Sequence, residues 1–326
     1  MIVPDHWAEA RKQYRSSGRQ VIIRRYGWST VSEADALIMA ETRADEALRR
    51  ILSGEKVNKR EPKVAYNGAA GVPIREEVLA RHGEEVITRN AYGAHCLNTP
   101  NALFADIDFE QPNSFKPALI SFAILAVISA MVGASLKNWS VTLGMLVASI
   151  FAASLLSSLV LRLTVVARGG PDQMARRRID NFLARNPTWN LRLYRTPAGY
   201  RVLATHQPFE ASDTAVHSFF AAVSADVVYV RMCINQRCFR ARLTAKPWRI
   251  GITAHMRPRP GVWPVRAERM AMRSKWIAEY EARAALFAAC RFVESLGSGV
   301  VHESLKAVIE LHDHESRAHV ADATLA

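Results

Sequence analysis

The chain has 326 residues, 49% of them hydrophobic, and a formal net charge of +13. This size and composition exclude a disordered or low-complexity chain and allow one or two folded domains with a sizeable core. Residues 1–116 carry 17 Lys and Arg against 16 Asp and Glu, whereas residues 167–326 carry 24 against 14. Any surface for an acidic partner is therefore expected in the second half.

Residues 1–116 predict the first part of a cytoplasmic α+β domain. The start, MIVPDHWAEARKQYR, has no apolar stretch of the signal-peptide type, and the four cysteines are irregularly spaced, which favours reduced thiols in a cytosol. Ser32 is a candidate N-cap and Gly54 a candidate helix stop. The expected elements are helices over 5–16, 32–53 and 75–83, a strand over 19–28 and a polar loop over 56–74.

Residues 103–109, LFADIDF, alternate strictly between the two faces of a strand. Asp106 and Asp108 then share one face, about 6.6 Å apart at a rise of ~3.3 Å per residue. Two like charges at this spacing repel unless a cation lies between them, and Mg²⁺ or Mn²⁺ is a natural bridge. A second metal ion would permit phosphoryl or nucleotidyl transfer. An edge strand with a solvated polar face is the alternative interpretation.

Two uncharged runs, 117–136 and 141–161, follow this strand. About 20 apolar residues cross ~30 Å of hydrocarbon, so both runs are long enough to span a bilayer. The four residues KNWS between them allow only a tight turn. We therefore expect a transmembrane helical hairpin over 117–166, with spans of about 117–136 and 141–163. A buried core hairpin of a soluble protein is the alternative.

The charges that flank the hairpin predict its orientation. Lys116, Arg162, Arg168 and the run 176–178 lie on the outer flanks, whereas the turn offers only Lys137. The positive-inside bias then places both termini in the cytoplasm. The expected membrane is a bacterial inner membrane. Neither run contains an ionisable residue, so the hairpin is expected to be an anchor rather than a channel.

The chain after the hairpin predicts the second part of the cytoplasmic domain, 167–256, and then a linker and C-terminal helices, 257–326. Pro197 and Gly199 indicate a turn between two paired strands. The expected elements are helices over 171–185, 213–223, 272–287 and 299–311, strand hairpins at 190–206 and 227–244, a stiff linker at 257–264 and a frayed tail from 312. The fold class is α+β, a mixed or antiparallel sheet with flanking helices, interrupted by the hairpin. Two separate small domains are the alternative.

Basic residues of the second half are candidates for phosphate binding. Arg240 and Arg242 share one face of a predicted strand, with Tyr229 and Arg231 on its partner, and Lys246 follows. Arginines beside aromatic rings can grip phosphates or stack on bases. A face made soluble by charge, or one against anionic lipid headgroups, is equally consistent with this pattern.

Other candidate residues favour structural roles. His206 ends a strand, where a capping or surface histidine is the commoner role. Cys233 and Cys238 lack the second ligand pair of a structural zinc site and are expected to be packing residues. His312 and His314 do not share a helix face, which disfavours a metal site there.

Two resemblances extend these predictions. The order LFADIDF, then VLATH, then a basic strand resembles the palm of archaeo-eukaryotic primase-polymerases. This resemblance implies that Asp106 and Asp108 hold metal ions and that His206, in the small-x-His element, contacts nucleotide phosphates. The third acidic position of that family has only Asp226 as its nearest counterpart. The whole chain, with REPKVAYNGAAGVPIREEV and CFRARLTAKPWR, also resembles uncharacterised bacterial membrane proteins, and this second likeness implies no activity.

Two functions are therefore expected for an integral membrane protein of this kind. One is a metal-dependent phosphoryl or nucleotidyl transferase with Asp106 and Asp108 as ligands. The other is a non-catalytic module that is anchored in the lipid bilayer and binds nucleic acid, anionic lipid or a protein through its basic half.

Overall fold

The computed structural model describes residues 1, 3–16, 19–61, 72–109, 115–259, 261 and 263–326. These residues form an α+β structure with antiparallel sheets and flanking helices. The chain divides into two compact units, one of Met1–Ile107 with Phe182–Ala326 and the other of Asp108–Asn181. Most of the loop predicted at 56–74 lies outside the described residues.

The first unit begins with an antiparallel hairpin of β1 (His6–Ser16) and β2 (Arg19–Ser29), covered by helix α1 (Glu33–Leu52). The helix predicted over 5–16 is therefore wrong, because pairing along the full length of β2 overrides local helix propensity. The prediction for α1 is confirmed, and Ser32 accepts a hydrogen bond from the main-chain nitrogen of Asp35.

Small residues allow α1 to lie directly on β2. A Cβ at Gly27 would stand 2.1 Å from the Ala36 oxygen and 2.3 Å from the Ala40 nitrogen, so only glycine allows this approach. The buried face of α1 is made of alanines and one isoleucine: Ala36, Ala40, Ala44, Ala47 and Ile51. Its spacing of three or four residues is the helical repeat that the sequence displays.

A four-stranded sheet has the order β3-β4-β5-β9. Its members are β3 (Glu77–His82), β4 (Glu85–Arg89), β5 (His95–Thr99) and β9 (Phe239–Arg242). The short helix predicted over 75–83 is wrong, since this segment pairs with β4. The hairpin predicted at 227–244 is also wrong, because its first half is helix α6 (Val227–Gln236) and β9 pairs with β5. Asp226 caps α6 by accepting from the main-chain nitrogen of Tyr229.

The second four-stranded sheet has the order β11-β7-β8-β6. Its members are β6 (Phe104–Asp108), β7 (Asn190–Thr196), β8 (Gly199–Ala204) and β11 (Arg291–Gly297). The predicted strand at 103–109 and the predicted hairpin at 190–206 are both confirmed. This sheet joins a strand that precedes the apolar helices to three strands that follow them.

Further helices lie in the chain after residue 169. They are α4 (Gly170–Arg185), α5 (Thr214–Val223), α7 (Ala267–Ala284) and α8 (Lys306–Glu315). Short strand β12 (Thr324–Leu325) pairs in parallel with β10 (Phe287–Ala288). The frayed tail predicted from 312 is wrong, because His312, Ser316 and Ala323 are buried.

The second unit contains two long apolar helices, α2 (Phe115–Leu136) and α3 (Trp139–Ala167), as expected from the two uncharged runs. They contact each other through small residues. The hydroxyl oxygens of Ser129 and Ser149 lie 3.2 Å apart, and a Cβ at Gly133 would collide with the side chain of Thr142. Asn138 caps the start of α3 by accepting from the main-chain nitrogens of residues 140 and 141.

Candidate functional site

Asp106 lies opposite Arg201 where β6 pairs with β8. The Leu103 oxygen accepts a hydrogen bond from the Ala204 nitrogen at 3.0 Å. The Asp106 carboxylate accepts from Arg201 Nε at 2.9 Å and from Nη2 at 3.4 Å. Position 103 is thus opposite 204 and position 106 opposite 201, so residue numbers rise along one strand as they fall along the other, as in an antiparallel pair. The Arg201 side chain is 1% exposed and that of Asp106 34%, so only the carboxylate reaches solvent.

Arg201 also links the two four-stranded sheets. Its Nη1 donates to the main-chain oxygen of Arg242 on β9 at 2.8 Å and lies 3.5 Å from His312 Nε2. Burial opposes the charge of this guanidinium, but the Asp106 carboxylate, together with Cys290 and Tyr229, outweighs burial, so the pKa of Arg201 is raised. The negative charge of Asp106 therefore compensates an internal cation.

Tyr229 on α6 makes a second link between the sheets. Its hydroxyl donates to the Phe104 oxygen on β6 at 2.9 Å and accepts from the Arg240 nitrogen on β9 at 3.2 Å. Burial raises the pKa of Tyr229 well above its ordinary value, so the hydroxyl stays protonated and can donate. Near Asp106 the two sheets are thus joined by the hydrogen bond from Arg201 to the Arg242 oxygen and by the Tyr229 hydroxyl.

His312 and Asp313 extend the polar network behind Arg201. His312 Nδ1 lies 3.0 Å from Asp313 Oδ1, and that oxygen also accepts from the Tyr194 hydroxyl at 2.7 Å. The other carboxylate oxygen accepts from Arg192 at 2.5 Å and lies 2.8 Å from His319 Nε2. Burial opposes ionisation, but the charge of His312 and the hydrogen bonds from His312, Tyr194 and His319 together outweigh it and hold the pKa of Asp313 well below its usual range.

Cys290 completes this network. Its Sγ lies 3.8 Å from His312 Nε2 and 3.4 Å from Ser316 Oγ. Burial opposes both charged forms, yet each group stabilises the other, so the pKa of Cys290 is lowered and that of His312 is raised. Cys, His and Asp in this order can activate a thiol. Both Cys290 and His312 are 0% exposed, however, so neither reaches a substrate in solution.

His206 lies away from Asp106. It contacts the rings of Trp189 and Phe209, with centroids 4.6 and 5.3 Å away, and its Nδ1 accepts from the Asn190 nitrogen at 3.4 Å. Burial lowers its pKa. His206 follows Arg201 by five residues, which is about 16 Å along an extended chain. The structure thus brings Asp106 together with Arg201 and not with His206.

Arg240 belongs to the interior rather than to an exposed basic face. Its side chain is 3% exposed, and its Nη2 lies 2.5 Å from Glu76 Oε2, which also accepts from Thr88 Oγ1 at 2.7 Å. Tyr229 and Arg231, predicted on a partner strand, lie on helix α6. The predicted basic sheet face is therefore wrong at these positions.

Arg242 and Lys246 lie closer to the surface. Arg242 is half-buried and donates from Nη1 to the Thr244 oxygen at 3.2 Å. The Lys246 ammonium lies 5.5 Å from the centre of the Trp248 ring, which is 54% exposed. Phosphate binding by these two residues stays a prediction.

Within the described ranges, no group of three or more His, Cys, Asp or Glu is arranged to hold a metal ion. Asp108 is exposed at the end of β6. Arg201 contacts both carboxylate oxygens of Asp106, so a cation there would compete with a guanidinium. The Mg²⁺ or Mn²⁺ site at Asp106 and Asp108 stays a prediction.

Sequence reasoning missed the roles of Arg201 and Cys290 and assigned His312 and Asp313 to a frayed tail. The local signal for Arg201 is an arginine within YRVLA, a segment that is otherwise apolar, since a charged side chain in a buried strand requires a partner. The segment HDHESRAH is polar, so its sequence did not indicate that His312 and Asp313 are buried.

No protein-family model, curated protein or solved structure matches this chain. The resemblance to primase palms therefore depends on the short motifs alone.

Proposed function

We propose that this chain is an integral membrane protein in which α2 and α3 form a hairpin anchor for the first unit (Met1–Ile107 with Phe182–Ala326), called the α+β unit below. One observation carries the proposal: the two helices turn small and hydroxyl-bearing residues toward each other and bulky apolar residues outward. The buried residues include Ser129, Thr142, Ser149, Ala153 and Ser157.

The outward residues are large and well exposed. Met131 is 68% exposed, Phe151 73%, Leu155 76% and Val166 72%. Only 11% of the most apolar window of α2 and 17% of that of α3 is buried. A core helix of a soluble protein would bury such side chains, whereas hydrocarbon tails accept them and close packing relies on small residues.

The flanking charges support the predicted orientation. Arg162, Arg168 and Arg177 lie on the α4 side of the hairpin, and Trp139, 79% exposed, lies at the turn. Arginines favour the cytoplasmic side and tryptophan favours an interface. Both termini are then cytoplasmic, in a bacterial inner membrane.

We propose binding, rather than catalysis, as the role of the α+β unit, with an anionic molecule as its partner. The excess of 24 Lys and Arg over 14 Asp and Glu in residues 167–326 supports an anionic partner. The ion pair between Arg201 and Asp106 argues against a metal-dependent reaction, because the carboxylate that would bind metal already compensates a buried charge.

Alkaline carbonate extraction followed by cysteine labelling tests the anchor. The four native cysteines are at most 3% exposed, so they contribute little background to labelling of the folded protein. We expect the protein to stay in the membrane pellet. A membrane-impermeant maleimide applied to the outside of the membrane should label K137C, at the turn, but not T30C. Recovery in the soluble fraction, or equal labelling of both variants, would contradict the proposal.

A metal-dependent phosphoryl or nucleotidyl transferase is the second candidate. It is favoured by one observation, that β6 and β8 are neighbours in one sheet, as the primase-palm resemblance requires. Mg²⁺ or Mn²⁺ should then raise the melting temperature of the wild type but not of D106N or D108N. An unchanged wild-type melting temperature would remove this candidate.

A further inference from the structure

A cleft of about 540 Å³ lies between the segment after β9 and the first turns of α7. Its polar lining comprises Thr253, His255, Arg257, Arg259 and Arg269. No carboxylate lines it among the described residues, and the neighbouring positions 260 and 262 are proline and valine. The cleft is therefore positively charged.

The three arginines of the cleft are exposed. No ion pair or hydrogen bond joins the guanidinium of Arg257, Arg259 or Arg269 to a residue in the described part of the chain. The nearest acidic residue in sequence, Glu268, lies 4.0 Å from Arg266 instead. Guanidinium groups without local partners are available for an external anion.

The walls of the cleft are held in place by the core. Ile252 and Met256 are buried in a cluster with Trp276 and Tyr280 of α7. Trp276 Nε1 also donates to the Ala254 oxygen at 2.9 Å. The positions between the buried residues then face outward, so the basic groups are held together before any ligand arrives.

The N-terminus of α7 adds to the positive potential. This helix has 18 residues, and Arg266 at its N-cap makes no side-chain capping hydrogen bond. Arg269, in the first turn, belongs to the cleft lining. The partial positive charge of a helix N-terminus favours anions at this end. In contrast, a cavity of about 500 Å³ elsewhere is lined by both Glu84 and Arg237.

We propose that this cleft binds a ligand with clustered phosphate groups, through His255, Arg257, Arg259 and Arg269. The inference deepens the proposed binding role of the α+β unit and depends on it. The cleft is large enough for several phosphates, and among the described residues no Trp, Tyr or Phe lines it for base stacking. Recognition is therefore of phosphate and not of a nucleobase. A soluble polyphosphate and a phosphorylated lipid headgroup share this chemistry.

Calorimetric titration of the full chain in neutral detergent tests the proposal. Inorganic tripolyphosphate is the soluble probe. Micelles that contain a phosphoinositide bisphosphate are the lipid probe, and micelles with phosphatidylserine are their control. We expect saturable binding of at least one phosphate-cluster probe, weakened by salt. Tripolyphosphate binding indicates a soluble ligand, and binding of the phosphoinositide alone indicates a headgroup.

Substitutions locate the binding. R259Q and R269Q should each weaken it about tenfold. K275Q removes an exposed charge from the same helix outside the cleft and should leave it unchanged. If R269Q disturbs α7, as judged from its melting temperature, R259Q in the preceding segment carries the test.

Absence of binding by both probes at low salt, or equal affinity of R259Q and K275Q, would overturn the cleft assignment. Carbonate extraction of the same preparation reports the anchor separately. Failure of the cleft and failure of the anchor are therefore distinguishable.

Discussion

The α2–α3 hairpin and the α+β unit distribute their side chains in opposite ways. The hairpin buries Ser149 and exposes Leu155 to 76%, whereas the α+β unit buries Phe104 and Leu203 completely. The α+β unit also buries charge, since Arg201 is 1% exposed and Arg273 is 0% exposed.

The proposed membrane anchor explains this difference, because the two units would then face two solvents. In water, apolar side chains gain by burial, and a charge inside the fold requires a partner. In hydrocarbon, bulky apolar side chains lose nothing by facing outward, and small residues allow two helices to approach closely. On this proposal, each unit suits a different surrounding medium.

The largest expected effect comes from the buried charge of the α+β unit. D106N leaves the Arg201 guanidinium buried without its carboxylate, and we expect a loss of about 4 kcal/mol in unfolding free energy. Thermal or denaturant unfolding of the purified protein measures this loss. D108N, at an exposed position of the same strand, should cost less than about 1 kcal/mol.

A double substitution separates charge compensation from other roles of Asp106. D106L/R201M removes both charges and should recover much of the stability that D106N loses, because a buried ion pair can be replaced by apolar residues. A double variant no more stable than D106N would mean that Arg201 is not the reason for the loss.

The next effect tests the medium around the hairpin. L155R should cost about 3 kcal/mol and reduce the membrane-bound fraction, because arginine is unfavourable at the centre of a membrane span. L286R, at a 69% exposed position of the α+β unit, should be nearly neutral. Carbonate extraction measures the membrane-bound fraction. If both substitutions reduce this fraction equally little, the hairpin lies in water.

A pH-dependent effect is expected at Asp313. Its folded pKa is depressed, because the charge of His312 and the hydrogen bonds from His312, Tyr194 and His319 together outweigh the cost of burial. Its contribution is therefore complete above the unfolded pKa of about 3.9 and is lost as pH falls through the lower folded value. D313N should cost about 2 kcal/mol at pH 7.

The loss caused by D313N should shrink as pH falls below about 4, which melting curves at neutral and acidic pH can measure. A loss that does not change with pH would assign the effect of D313N to packing instead.

The smallest effect is expected between the two apolar helices. S149A removes the contact with Ser129, and a hydrogen bond between membrane helices contributes about 0.6 kcal/mol on average. S149L should be much worse, since Ser149 is 5% exposed at the contact. Unfolding in mild detergent measures both variants, and equal stability of S149A and S149L would contradict the small-residue contact.

Local patterns were sufficient for part of the fold. Two long uncharged runs predict the apolar helices, and the cap at Ser32 predicts the start of α1. The turn at Pro197 and Gly199 predicts the β7–β8 hairpin. Each of these signals lies within one short segment. The segments 5–16 and 75–83 were misassigned because strand partners, and not propensity, decide their conformation.

The candidate site was harder to predict. Asp106 is a recognisable candidate, but its partner Arg201 follows 95 residues later. Neither segment alone indicates the strand register that brings the two side chains together. The prediction that Arg240 binds phosphate did not allow for Glu76, because the Glu76 carboxylate neutralises the Arg240 guanidinium inside the fold. Polarity along the chain does not distinguish a solvated charge from a paired one.

The strand order of the second sheet has a consequence for biosynthesis. Strand β6 leaves the ribosome before the apolar helices, whereas β8, its neighbour, follows them. An anchor that inserts during translation therefore enters the translocon while β6 still lacks its partner. In the proposed membrane-anchored protein, the sheet is then completed only after insertion, so the insertion step precedes the last pairing step in the folding of the α+β unit.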